Sequence, residues 1–177
     1  MPPAPVPAPP AMRLACLIAA LAAAGLLAFA YYLEFARGLE ACPLCMLQRL
    51  AFAVFGLLAL GAALHGPGRT GQRLYALGGL MASVGGGGVA ARHLYLQQLP
   101  ADARPACGPG FDYLLDTFPL VEALGHMLQG SGECGAVGWQ WLGLSIPAWA
   151  LLWFVLFAGA SLLVLWRPGA VRGPLRG

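Results

Sequence analysis

Long uncharged apolar runs dominate the chain and set its elements. Residues 14–33 carry no charge. At 1.5 Å rise per residue, a run of that length spans about 30 Å, the hydrocarbon thickness of a bilayer. Three further runs cover 46–64, broken only by Arg49, then 74–92 and 147–166. The pattern predicts four transmembrane helices. Pro147 suits a helical first turn, where its missing N–H costs nothing. Trp139, Trp141, Trp149, Trp153 and Trp166 gather near the two ends of the last run, as in an interfacial aromatic belt. In the third run Gly78, Ala82, Gly86 and Ala90 recur every four positions, with Gly79, Ser83, Gly87 and Ala91 beside them. Such small-residue stripes let helices approach closely in lipid.

The connections are uneven. Segment 34–45 is short, and 65–73 is a Gly/Pro turn. Segment 94–146 is long, and within it Leu120, Val121, Leu124, Met127 and Leu128 fall at helical spacing opposite Glu122 and His126. That spacing predicts a short amphipathic helix, lying on the membrane or packed within a small loop domain. Residues 1–12 are Pro/Ala-rich and expected to be disordered. The expected fold is an all-α integral membrane protein, a four-helix transmembrane bundle over 13–167. A long outer loop carries the amphipathic helix, and 168–177 form a cytoplasmic tail.

Composition narrows the class. Of 177 residues 59% are hydrophobic and only 10% charged, against roughly 25% charged in soluble domains. A multidomain enzyme is excluded by length. A net charge of +3 with no basic run gives no case for nucleic acid. All ten basic residues are Arg. Arg13, Arg69, Arg73, Arg167, Arg172 and Arg176 fall on one side of the four runs, while Arg37, Arg49, Arg92 and Arg104 fall on or near the other. This bias puts both termini inside and loops 34–45 and 94–146 outside. A cleaved signal peptide ending at Ala28-Phe29-Ala30 is the competing reading of the first run, whose length exceeds the usual apolar core of such peptides.

Four of the five cysteines fall in the outer loops, and the fifth, Cys16, sits within the first span as a packing residue. Outer loops of a bacterial-type inner membrane face an oxidising compartment. Cys42-Pro43-Leu44-Cys45 opens the second span. With Pro43 as the first helical residue, Cys42 is near the N-cap and Cys45 in the first turn. A helix N-terminus favours an anion, so the spacing predicts an activated Cys45 thiol. Arg49 lies one turn deeper on the same face, a costly place for a charge. The spacing suits it to stabilise a thiolate and to polarise an oxygen of a membrane-dissolved acceptor, the alternative being a guanidinium that snorkels to lipid headgroups. Cys107 and Cys134 bracket 26 residues of the long loop, flanked by glycines that predict mobile, accessible ends. A four-cysteine zinc site lacks close spacing in the second pair. A c-type haem is excluded because residue 46 is Met. Two structural disulfides in a non-enzymatic assembly factor remain the rival reading, and so does an epoxide-reductase-type quinone enzyme.

These residues resemble the quinone-linked disulfide bond formation protein B family over about residues 12–166. The likeness is strongest in Cys42-Pro43-Leu44-Cys45-Met46-Leu47-Gln48-Arg49, Cys107-Gly108-Pro109-Gly110, Gly132-Glu133-Cys134 and the stretch from Trp141 to Trp149. The resemblance implies an inner-membrane oxidoreductase, with catalytic Cys42, Cys45, Cys107 and Cys134, that sustains disulfide formation in exported proteins. A reduced periplasmic DsbA-like thiol oxidase would attack a Cys107–Cys134 disulfide. Cys134 would then exchange with Cys42, and Cys45 would pass electrons to a quinone (ubiquinone or menaquinone) held by Arg49 and His93. No metal is implied.

Overall fold

A computed structural model describes residues 9–106, 108 and 111–166. Cys107, Pro109 and Gly110, most of the N-terminal tail and the C-terminal tail lie outside the described residues. Among the described residues six α-helices follow in order: α1 (Pro10–Arg37), α2 (Pro43–His65), α3 (Arg69–Gln98), α4 (Phe111–Thr117), α5 (Leu120–Gln129) and α6 (Ile146–Trp166). Of these, α1, α2, α3 and α6 are long and apolar enough to cross a membrane. Large apolar side chains such as Leu21, Leu57, Met81 and Leu163 point away from the protein. Only a lipid surround makes that arrangement favourable.

The helices run further than their apolar runs. α1 is already helical from Pro10, within the tail expected to be disordered, because a proline at the first position supplies a preset φ and loses no bond. It ends at Gly38, whose φ of 67° lets the Leu39 N–H return to the Leu33 carbonyl. α3 continues past Arg92 to Gln98 and stops before Pro100. Hydropathy marks the stretch facing lipid, whereas backbone bonding continues until proline disfavours helix in the preceding residue. The extension matters because it carries Leu96 down onto Leu44 and Cys134. At the other end Arg13 donates to the Ala63 and Leu64 carbonyls, capping α2.

The bundle is held by α1 on α2, α2 on α3 and α3 on α6. From Ala76 to His93 the buried positions on α3 are Ala76, Gly79, Ser83, Gly86, Ala90 and His93, with Leu96 buried beyond them. The spacing alternates three and four, so the seam switches between the two glycine stripes. A straight contact line on a helix of 3.6 residues per turn requires this alternation. α6 buries Pro147, Ala150, Phe154, Phe157 and Ser161 with the same alternation. Between α2 and α6, Phe52 stacks on Phe154 and Phe55 on Phe157, each pair with centroids 4.1 Å apart.

In the long loop, the predicted amphipathic helix is α5. It buries Ala123 and Met127 against Leu114, Phe118 and Leu47, and leaves Leu120, Val121, Leu124 and Leu128 uncovered by protein. Arg92 clamps its end by donating to the Leu128 and Gln129 carbonyls. A two-residue hairpin joins strands β1 (Gln140–Trp141) and β2 (Leu144–Ser145) just before α6. Its turn residues Leu142 and Gly143 both have positive φ, 53° and 78°. This is the turn geometry that matches strand twist. Ser145 ties the hairpin to α3 by donating to Gln97 at 2.8 Å.

Candidate active site

Pro43 takes the first helical position of α2 and leaves Cys42 as its extended N-cap residue. The Met46 N–H bonds the Cys42 carbonyl, which places Cys45 in the first turn. The two sulfurs lie 3.3 Å apart and face different surroundings. Cys42 is buried with Leu44, Leu96 and Cys134. Cys45 is half-buried and lines an apolar cavity of about 590 Å³.

Cys134 does not sit in a mobile, accessible end. It occupies a 3₁₀ turn (Gly132–Gly135) and is 1% exposed. The preceding Gly130 has φ 78°, and a Cβ there would lie 2.4 Å from the Leu96 side chain. This glycine serves close approach of the loop to α3, which spacing alone does not distinguish from mobility. Proximity to Cys42, followed by burial, pushes the Cys134 thiol well above the ordinary thiol range.

His93 reaches the same thiols from α3. Its Nε2 lies 3.9 Å from the Cys42 sulfur and its Nδ1 4.0 Å from that of Cys45. Gln48, also buried, contacts Nδ1 at 3.1 Å. His93 is 3% exposed and does not line the cavity. The structure thus sets it against the dithiol, with Gln48 between it and the cavity wall.

Arg49 shares the cavity with Cys45. Its guanidinium donates to the Glu34 carboxylate, to the Ala30 carbonyl at 3.2 Å and to the Met46 sulfur, and lies 4.7 Å from the Tyr31 ring centroid. Three of these four groups belong to α1, so the seam between α1 and α2 fixes the cation. Sequence reading missed Glu34. The signal was present: α1 and α2 are antiparallel with a short connection, so the last residue turn of one and the first of the other share a depth. Breaking the pair should be costly because Arg49 is mostly sequestered. A double-mutant cycle of Glu34→Gln and Arg49→Met is expected to give a coupling of about 1–3 kcal/mol, between exposed and fully buried pairs. The measurement is reversible unfolding in mixed micelles, and a coupling near zero would make the pair a surface contact.

The cavity walls include Phe29, Phe52, Trp139, Trp141, Trp149 and Trp153. Trp149 donates its Nε1–H to the Trp141 carbonyl at 3.2 Å, with the two rings 5.1 Å apart. The hairpin thereby closes one side of the cavity. Cys45, Gln48, Arg49 and Glu40 supply its polar side chains.

The family model of disulfide bond formation protein DsbB matches residues 12–164. The chain belongs to the disulfide bond formation protein B family. A protein of that name from Hahella chejuensis is 51% identical over 154 residues, covering 87% of this chain and 90% of the relative. One from Chromobacterium violaceum is 47% identical over 158 residues, covering 88% and 92%. One from Marinobacter nauticus is 50% identical over 147 residues, covering 83% and 88%. No solved structure matches the chain. As a member of the disulfide bond formation protein B family it is a multi-pass membrane oxidoreductase that acts in disulfide bond formation. Its four long helices and its paired cysteines are those expected of that class.

Proposed function

We propose that this protein reoxidises a DsbA-like periplasmic thiol oxidase and passes the electrons to a membrane quinone. The observation that carries the reading is the position of the Cys42–Cys45 pair. One sulfur faces Cys134 of the loop, and the other faces an apolar cavity that also holds Arg49.

The residues fit such an acceptor. Aromatic and aliphatic walls suit a hydrophobic ring system, and a lone guanidinium suits one carbonyl oxygen on it. A quinone bound there would supply a two-electron, two-proton oxidant, and the Cys42/Cys45 dithiol would give up both electrons and both protons as it closes to a disulfide. Arg49 and the cavity walls would hold it. Arg49 is kept in place by Glu34 and offers positive charge where oxygen becomes electron-rich. His93, bridging the two thiols and Gln48, is positioned to accept a proton from the pair. Cys134, packed in one buried cluster with Cys42, supports disulfide exchange between loop and helix pair, since the two sulfurs must meet for attack. Cys107, outside the described residues, is assigned the mixed disulfide with the partner. The bacterial inner membrane, with both termini cytoplasmic and the redox loops periplasmic, is the setting in which these steps connect.

The test uses purified protein stripped of quinone, a reduced DsbA-like partner and a soluble quinone analogue. Catalytic loss of quinone absorbance is the expected result. No turnover with a folded protein and a competent partner would move the structural-disulfide reading ahead. Arg49→His in the same assay should raise the quinone KM by roughly tenfold, about 1.4 kcal/mol of lost binding. An unchanged KM and kcat would remove Arg49 from the site.

A further inference from the structure

The dithiol and His93, which also serve electron and proton transfer in the reading above, form a cluster with a second capacity. The ligand atoms of Cys42, Cys45 and His93 all lie within 4.8 Å of one another. We propose that, when the Cys42–Cys45 pair is reduced, these three residues bind one soft or borderline divalent ion, Zn²⁺ or Cd²⁺.

The geometry is close to what such an ion needs. Zn–S of about 2.3 Å and Zn–N of about 2.05 Å in a tetrahedron set S···S near 3.8 Å and S···N near 3.5 Å. The observed separations are 3.3 Å for the two sulfurs and 3.9 Å from the Cys42 sulfur to Nε2. Closing these two gaps takes shifts of about half an ångström, while the Cys45 sulfur, 4.0 Å from Nδ1, must also turn toward Nε2. Gln48 supplies the support that metal-bound histidines have. The Gln48 amide nitrogen faces Nδ1 at 3.1 Å, and metal binding requires that amide to flip, so that its oxygen accepts from Nδ1–H and the Nε2 lone pair is left for the ion. The donor set of two thiolates and an imidazole selects against Mg²⁺ and Ca²⁺, which require oxygen ligands. Cys42 and His93 are buried while Cys45 is half-buried at the cavity wall.

Binding releases the two thiol protons and breaks no bond between heavy atoms. A disulfide offers no thiolates, so the site exists only in the reduced state. Metal occupancy and reoxidation of the pair therefore exclude each other, whatever the oxidant. The inference is independent of the quinone reading.

The test uses full-length protein carrying Cys107→Ser and Cys134→Ser, stripped of quinone and reduced with a phosphine. Cd²⁺ is titrated and read by its sulfur-to-metal ultraviolet band, then Zn²⁺ by competition with a colorimetric chelator. One ion per chain is expected. His93→Gln should weaken binding by at least about tenfold, the lower end of what losing even an outer support costs a metal site. Pre-oxidation with a dipyridyl disulfide should abolish the band. That reagent should also oxidise the metal-loaded pair far more slowly, with EDTA restoring the rate. Affinity within twofold after His93→Gln, or equal binding by oxidised protein, would overturn the proposal. Zinc-edge X-ray absorption of the His93-containing protein covers the case in which His93→Gln does not fold. Two sulfurs with an imidazole shell support the site, and a shell without imidazole overturns it.

Discussion

Replacing Cys45 by serine is expected to stop quinone reduction, by roughly three orders of magnitude or more, because an alcohol can neither close the disulfide nor donate its electrons. The effect is expected to exceed that of any other single side chain in the cavity. Cys45 alone combines a sulfur 3.3 Å from Cys42 with a face on the cavity wall. Its place in the first turn of α2, under unpaired backbone N–H groups, favours the thiolate that attacks and leaves. The variant also has a positive signature. Without Cys45 to resolve it, a disulfide involving Cys42 persists, and the covalent species is visible on a non-reducing gel. Turnover within tenfold of the parent would mean that electrons leave by another thiol. Cys16 serves as the control. It lines a smaller cavity of about 230 Å³ at the opposite end of the bundle, between α1, α2, α3 and α6. Cys16→Ser should leave turnover unchanged.

The largest loss of stability is expected at Gly86. A Cβ there would lie 2.4 Å from the Phe154 ring and 2.8 Å from the Ala51 side chain. The ring has little room to yield, because it stacks on Phe52 with centroids 4.1 Å apart and is 1% exposed. Overpacking by a single carbon costs about 1–3 kcal/mol, so Gly86→Ala should be visibly destabilised. Gly86→Val adds two more carbons at the point where α2, α3 and α6 meet, and it should fail to give a monodisperse protein after detergent extraction. The neighbours make the comparison internal. Gly85 and Gly88 have nothing within 4 Å of an added Cβ. Alanine at either should be neutral or slightly stabilising through helix propensity. Thermal stability in detergent, read by size-exclusion chromatography, separates the outcomes. Equal effects at Gly85 and Gly86 would contradict the helix rotation seen here.

Much of the site was legible in the chain itself. Cys42-Pro43-Leu44-Cys45 and Arg49 sit within two turns of one helix, so their spacing alone puts Cys45 and Arg49 on a common face. His93 was read as a candidate for the acceptor, and the structure sets it on the thiols. A separation of 48 residues carries no information about which side of α3 faces α2. Cys134 was expected in a mobile end because glycines flank it, yet Gly130 permits tight docking onto Leu96. A glycine that loosens a loop and one that admits a neighbour look the same in a sequence. The Trp141–Trp149 hairpin, which closes the cavity, rests on a left-handed Leu142 that no turn rule favours.

The sequence by itself determined that four apolar helices form, that the long loop carries a short amphipathic helix, and that a thiol pair opens the second long helix. These follow from properties that add up along the chain: the hydropathy of some twenty neighbours, a 3.6-residue period, and a proline at a helix start. The tertiary structure decided which glycine meets Phe154, that Glu34 holds Arg49, and that Cys42 faces the loop while Cys45 faces the cavity. Each of these depends on how one helix is rotated against another. That rotation is fixed only when side chains from α1, α2, α3 and α6 interlock, so no local stretch of sequence contains it.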